Sequence, residues 1–178
     1  MRKTIITYGL IAGAIVASLM FATVPLWKSG AATGGNGELI GYTTMIIALS
    51  LIFFGIKSCR DNYFKESMSF GQCVKIGMLI TLIAAVMYAL AWEVCFNTIM
   101  PDFIESMASH RLEEMKANGK STAEIAVVSA QMESFKEWYK NPLLRFGATL
   151  LEILPVGVVI TLISAVFLRK RSSMQPVA

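Results

Sequence analysis

The sequence predicts an all-α polytopic membrane protein, with four transmembrane helices and an external two-helix amphipathic cap between spans three and four. Of its 178 residues, 55% are hydrophobic and only 16% are charged, and the mean hydropathy is +0.60. A soluble domain usually carries about 25% charged residues. The apolar residues also cluster into four long blocks, and helix-forming signals fill the segment between the last two. The chain is therefore interpreted as one integral membrane domain over residues 1–178.

The four apolar blocks cover residues 4–27, 39–56, 76–99 and 146–168. About 20 residues of helix cross the hydrocarbon core of a bilayer, so each block predicts one span. Only Glu93 interrupts the third block and only Glu152 the fourth. The first block follows Met1-Arg2-Lys3 as a signal peptide would, but a signal core is only about 7–15 residues long. We therefore expect a retained first span.

The placement of lysine and arginine predicts the orientation, because positively charged loops stay in the cytoplasm. Nine such residues share one side: Arg2, Lys3, Lys57, Arg60, Lys65, Lys75, Arg169, Lys170 and Arg171. Seven lie on the other: Lys28, Arg111, Lys116, Lys120, Lys136, Lys140 and Arg145. Most of those seven belong to the third connection, where acidic residues outnumber basic ones. We expect a bacterial inner-membrane protein with both termini in the cytoplasm.

The third connection, residues 100–145, carries the signals of two helices in its external segment, residues 101–142. Pro101-Asp102 is typical of a helix start and Asn118-Gly119 of a helix end. The segment "STAE" that begins at Ser121 is a capping-box pattern. Apolar residues then recur at helical spacing: Ile125, Val128, Met132, Phe135 and Trp138/Tyr139. This predicts helices over 102–118 and 121–140, whose apolar faces pack on each other, on the membrane surface or on a partner protein.

The first two connections are predicted as residues 28–38 and 57–75. The glycine-rich first connection is typical of a flexible linker, since it lacks the Lys-Ser/Thr pair of a phosphate loop. The second is basic and aromatic, which fits an ordinary cytoplasmic turn or a segment that rests on an anionic inner leaflet.

Five residues form a candidate intramembrane polar site in spans three and four: Glu93, Asn97, Arg145, Thr149 and Glu152. Asn97 follows Glu93 by four residues, and Thr149 precedes Glu152 by three, so each pair shares a helix face. Because the two spans run in opposite directions, the predicted boundaries place Glu93 roughly 8–9 Å and Glu152 roughly 7–8 Å from the midplane, both in the outer half. The acids are thus expected at one depth.

Carboxylates inside a membrane usually face the protein interior or water, since each charge costs roughly 2.5–3.5 kcal/mol on insertion scales. Two neighbouring acids need a cation or a shared proton, so at least one is expected to be protonated. The functional interpretation is a proton site, a cation site or a site for a cationic group. The structural alternative is a Glu bonded to Asn97, Thr149 or backbone, or Glu152 paired with Arg145.

A row of small residues on span one, Gly9, Gly13 and Ala17, is a candidate helix-packing face. Such a row permits close helix contact, either with a helix of the same chain or at a dimer face.

Four stretches resemble a known family: "LIGYTTMIIALSLIFFGIKSCRD", "SFGQCVKIGMLITLIAAVMYALAW", "YKNPL" and "EILPVGVVITLISAVFLRK". They are similar to bacterial membrane proteins, widespread in the Bacteroidetes group, that are known only as a domain of unknown function. The resemblance spans nearly the whole chain. It implies a four-span inner-membrane protein and no catalytic residue.

The sequence contains no nucleophile–base set, nucleotide loop or metal-ligand spacing, so we expect no enzyme activity and no cofactor. Nucleic acid is not an expected partner, since basic residues that flank spans follow from topology. The expected partners are the lipid bilayer and, through the 101–142 cap, a second copy or another membrane protein. A structural or accessory role is the leading prediction. A small transporter or channel that uses Glu93 and Glu152 is the alternative.

Overall fold

A computed structural model describes residues 1–32, 35–64 and 67–169 of the chain. Its helices are α1 (Arg2–Lys28), α2 (Gly35–Leu49), α3 (Leu51–Tyr63), α4 (Phe70–Thr98), α5 (Phe103–Ala117), α6 (Thr122–Tyr139) and α7 (Pro142–Leu168). Over the described ranges every regular element is a helix, which confirms the all-α prediction. Lys65, Lys170 and Arg171, named in the sequence analysis, lie outside these ranges.

Within the described ranges, four helices are long and apolar enough to cross a membrane: Arg2–Lys28, Asn36–Tyr63, Phe70–Thr98 and Pro142–Leu168. The second of these joins α2 and α3. Ser50 lies between them with helical dihedral angles (φ −56°, ψ −23°), and its N–H still donates to the Ile46 carbonyl at 2.9 Å. The predicted four-span membrane architecture is therefore confirmed.

The spans are longer than the apolar blocks, so the predicted connections were too long. Residues 57–75 were predicted as a connection, but α3 continues to Tyr63 and α4 already begins at Phe70. A capping box that the sequence analysis missed starts α4, because Ser69 and Gln72 bond each other's backbone N–H groups. Gly37, predicted in a linker, lies in α2 against Trp27. Backbone hydrogen bonds continue a helix past the last apolar side chain, which explains these differences.

Side-chain contacts show that the long helices alternate in direction. The Thr4 and Tyr63 hydroxyls lie 3.1 Å apart, which brings the start of α1 to the end of α3. The Arg169 guanidinium lies 5.9 Å from the centre of the Phe70 ring, which brings the end of α7 to the start of α4. At the opposite end, Trp27 packs edge-on against Phe103 at 5.6 Å. The cap helices α5 and α6 therefore lie at the end remote from the chain's start.

Glycine and threonine set the register between α4 and α7. A Cβ on Gly77 would lie 2.5 Å from Thr161, and one on Gly157 would clash with Thr81. The Thr81 and Thr161 hydroxyls are 3.4 Å apart. Small residues allow this close approach of the two backbones. Close packing matters in a membrane, because the hydrophobic effect does not drive helices together there. The resulting antiparallel register places Gly77 level with Thr161 and Thr81 level with Gly157.

The small-residue row of span one contacts α4 of the same chain. A Cβ on Gly9 would lie 2.7 Å from Ile83, and one on Gly13 would lie 2.7 Å from Met87. Ala17 is half-buried one further turn along. The two glycines thus serve packing within the chain.

The two predicted cap helices are present, and the expected break falls between them. The capping box at the start of α6 is formed, since Ser121 and Glu124 bond each other's backbone N–H groups. Gly119 takes the left-handed conformation (φ +69°) that ends α5. The predicted apolar stripe is the less exposed face of α6, except that Trp138 points outward. Lys136 pairs with Glu105 at 2.5 Å and joins the two helices.

Candidate functional site

A buried ion pair joins the third and fourth spans beneath the cap. Arg145 Nε donates to Glu93 Oε1 at 2.8 Å, and Arg145 Nη2 donates to Glu93 Oε2 at 2.5 Å. The side chain of Arg145 is 4% exposed and that of Glu93 is 19% exposed. Two parallel bonds between a guanidinium and a carboxylate are the strongest geometry for this pair. The carboxylate in the third span is therefore compensated within the chain.

The remaining contacts of Arg145 hold the end of the cap. Its Nη1 donates to the carbonyl of Tyr139, the last residue of α6, at 3.1 Å. Its guanidinium also lies 4.1 Å from the centre of the Phe96 ring on α4, a cation–π contact. One side chain thus connects α7, α4 and α6.

An aromatic cluster surrounds the ion pair. The Trp92 indole N–H donates to the Tyr139 hydroxyl at 2.7 Å. Trp92 packs edge-on against Phe103 of α5 at 5.1 Å, and Phe96 packs against Tyr139 at 5.5 Å. Burial raises the pKa of Tyr139, and the Glu152 carboxyl raises it further. The cluster keeps water away from the ion pair and attaches both cap helices to α4.

Two other predicted site residues bond mainly to helix backbone. Asn97 Nδ2 donates to the Glu93 carbonyl at 2.6 Å and reaches Glu93 Oε2 only at 3.5 Å. Thr149 Oγ1 donates to the Arg145 carbonyl at 3.0 Å. Such bonds to the residue four positions earlier satisfy a hydroxyl or amide without a partner helix. Glu93, Asn97, Arg145 and Thr149 therefore form one connected polar group.

Glu152 lies apart from that group, which corrects two expectations. Arg145 pairs with Glu93 and not with Glu152, so the proposed Glu152–Arg145 pair is wrong. The two acids are also not at one depth. Arg145 is level with Glu93, and Glu152 follows Arg145 by seven residues, about 10 Å along α7. The prediction of equal depth was wrong because α4 begins six residues and α7 four residues earlier than the apolar blocks predicted.

Glu152 lines a small cavity between α7 and the cap. The cavity has a volume of about 210 Å³, and the rings of Phe103, Phe135 and Tyr139 form much of its wall. Thr149 lines it as well. Glu152 makes no hydrogen bond and no ion pair with any residue in the described ranges.

A larger cleft of about 1100 Å³ opens beneath α5, next to the end of α1 and the start of α2. Its walls carry both signs of charge. The basic residues are Lys28 and Arg111, and the acidic residues include Glu38, Asp102 and Glu113. The cleft was not predicted, because its sides come from helices far apart in the sequence.

Phe96 and Tyr139 were missed as partners of the polar site. Phe96 follows Glu93 by three residues, which places it on the same helix face, so this spacing was available in the sequence. Tyr139 had been assigned to the apolar stripe of α6, and its link to Arg145 depends on how the cap folds back on α7.

A family model described as "Protein of unknown function (DUF4199)" matches residues 7–170, nearly the whole chain. No match was found among curated proteins or among solved structures. The match confirms the resemblance to a family of unknown function.

Proposed function

We propose that this chain, a member of the DUF4199 family of proteins of unknown function, is an accessory membrane protein that acts through protein contacts of its cap. The observation that carries this proposal is the contact set of Arg145. Its nitrogens bond Glu93 of α4 and the Tyr139 carbonyl of α6. The buried ion pair thus helps to hold the cap on the spans.

A cap held in this way is a preorganised binding surface. Ordering a mobile surface on binding costs free energy, and a surface that is already fixed avoids that cost. The outer face of α6 exposes Val127 (58%) and Trp138 (40%), and the mixed-charge cleft opens beneath α5. Apolar and aromatic anchors with charged surroundings are typical of protein interaction sites.

The proposed location is the bacterial inner membrane, with both termini in the cytoplasm and the cap outside, on a four-helix bundle. The buried, paired state of Arg145 supports this orientation, because Arg145 no longer counts as a loop charge on the cap side. On the opposite side, Arg2, Lys3, Lys57, Arg60 and Arg169 lie at or near helix ends.

Photo-crosslinking from two positions on α6 tests the accessory role. A photoreactive phenylalanine analogue replaces Val127, which faces outward, or Ile125, which faces the inner side of the same helix. We expect a defined adduct with one other polypeptide from position 127 in native membranes, and only adducts within the chain from position 125. Absence of an intermolecular adduct from position 127 would contradict the proposal.

A small transporter or channel is the alternative proposal, and it would rest on Glu152 alone because Glu93 is engaged by Arg145. Proteoliposomes that contain only this chain test it. Ion or solute flux that Glu152→Gln abolishes would favour transport over the accessory role.

A further inference from the structure

The carboxyl group of Glu152 has no partner in the described part of the chain, although it lies within the fourth span. A charged group inside the bilayer costs roughly 2.5–3.5 kcal/mol on insertion scales. A charged group there is therefore paired with a counter-ion or loses its charge by protonation. The Glu152 side chain is exposed at the surface of the chain, so a cation from outside the chain can reach it.

The polar side chains of Arg145 and Thr149, which precede Glu152 on α7, are already engaged. Arg145 donates hydrogen bonds from Nε and Nη2 to the Glu93 carboxylate and from Nη1 to the Tyr139 carbonyl. The Thr149 hydroxyl, one turn before Glu152, donates to the Arg145 carbonyl. Arg145 therefore cannot neutralise Glu152 without breaking the attachment of the cap, and the Thr149 hydroxyl carries no charge.

The cavity beside Glu152 suits a substituted ammonium group. Phe103, Phe135 and Tyr139 line it together with Glu152, and its volume is about 210 Å³. The faces of aromatic rings attract cations, and a carboxylate adds a full opposite charge. Both features favour an ammonium group over a neutral or an anionic ligand.

We propose that this cavity binds the substituted ammonium group of an apolar organic cation, with Glu152 as its counter-ion and the rings of Phe103, Phe135 and Tyr139 as its wall. The residue before Glu152, Leu151, is 72% exposed, so α7 turns this side toward lipid. The apolar body of the ligand lies along that lipid-facing side. This site shares Tyr139 with the aromatic cluster around the Glu93–Arg145 ion pair, and it does not depend on the accessory role.

Isothermal titration of the purified full chain in detergent micelles tests the site. The probe is benzyltrimethylammonium, and neopentylbenzene is its uncharged isostere. We expect saturable binding of the cation and none of the isostere. Glu152→Gln should weaken the affinity at least about tenfold, because it removes the negative charge that attracts the quaternary ammonium group. Glu133→Gln, on an exposed part of α6, is the matched control and should leave the affinity unchanged.

Equal binding of the two isosteres, or equal affinity of Glu152→Gln and the unmodified chain, would overturn the proposal. Phe135→Leu provides a second variant if Glu152→Gln does not fold. It removes one ring face but keeps an apolar side chain, and we expect a several-fold loss of affinity for the cation. An unchanged affinity in that variant would overturn the proposal as well.

Nanodiscs of two lipid compositions identify the source of the cation. A lower apparent affinity for the probe in phosphatidylethanolamine than in digalactosyldiacylglycerol, an uncharged lipid without an ammonium group, assigns the site to a lipid headgroup, which competes for it. Equal affinities in the two lipids assign it to a free organic cation.

Discussion

Arg145 and Glu93 illustrate how a charge in a membrane protein is made tolerable. Each oxygen of the carboxylate accepts one guanidinium N–H, and the third nitrogen of the guanidinium bonds a backbone carbonyl. The Phe96 ring covers the guanidinium. A buried pair of this kind adds little to stability over apolar residues, but removal of one partner leaves a buried charge.

We therefore predict that Arg145→Met lowers the free energy of unfolding by about 3–5 kcal/mol, the usual cost of an uncompensated buried charge. Thermal unfolding of the purified protein in detergent measures this change. In the double variant Glu93→Gln/Arg145→Met the loss should be clearly smaller than the sum of the two single losses, because the groups interact directly.

Arg111→Met is the matched control for Arg145→Met. Arg111 pairs with Glu114 at 3.4 Å, and both side chains are largely exposed. Such a surface pair contributes about 0–1 kcal/mol. Equal losses of unfolding free energy from Arg145→Met and Arg111→Met would contradict the prediction. Additive losses in the double variant Glu93→Gln/Arg145→Met would contradict it as well.

The contact between α4 and α7 depends on two glycines that lie opposite threonines. Gly157 faces Thr81, and Gly77 faces Thr161. This close approach holds the helices in the register that brings Glu93 beside Arg145. Helix packing and the polar site are therefore linked.

We predict that Gly157→Ala destabilises the protein by about 1–3 kcal/mol, the usual cost of adding a methyl group to a packed interface. Gly147 on the same helix is the control, since a Cβ there would meet nothing within 4 Å. Gly147→Ala should be neutral or stabilise by about 0.4–1 kcal/mol, because alanine restricts the unfolded chain. Thermal unfolding in detergent compares the two variants, and equal effects would mean that the α4–α7 approach is not tight.

The molecule as a whole places the chain's start, the end of α3, the start of α4 and Arg169 at one end and the cap at the other. The Thr4–Tyr63 and Arg169–Phe70 contacts establish the first end. The Trp27–Phe103 contact establishes the second. Labelling of one residue at each end can therefore determine the orientation in the membrane.

We predict that a membrane-impermeant maleimide reaches Asn118→Cys, between the cap helices, and not Asn62→Cys near the end of α3. The labelling uses cells whose outer membrane has been removed and whose inner membrane is intact. The bias of lysine and arginine toward the Asn62 end is the reason. The unmodified chain is the control, since Cys59, Cys73 and Cys95 are all buried. Labelling of Asn62→Cys alone would reverse the orientation.

The sequence was sufficient to predict the four spans, the two cap helices and the capping box at Ser121, because these depend on local patterns of apolar and capping residues. It also identified Glu93, Asn97, Arg145 and Thr149 as members of one polar site. It could not predict which acid pairs with Arg145, because that depends on the α4–α7 register. The contacts of Gly77 with Thr161 and of Gly157 with Thr81 set this register, and they placed Arg145 beside Glu93 and left Glu152 about 10 Å further along α7.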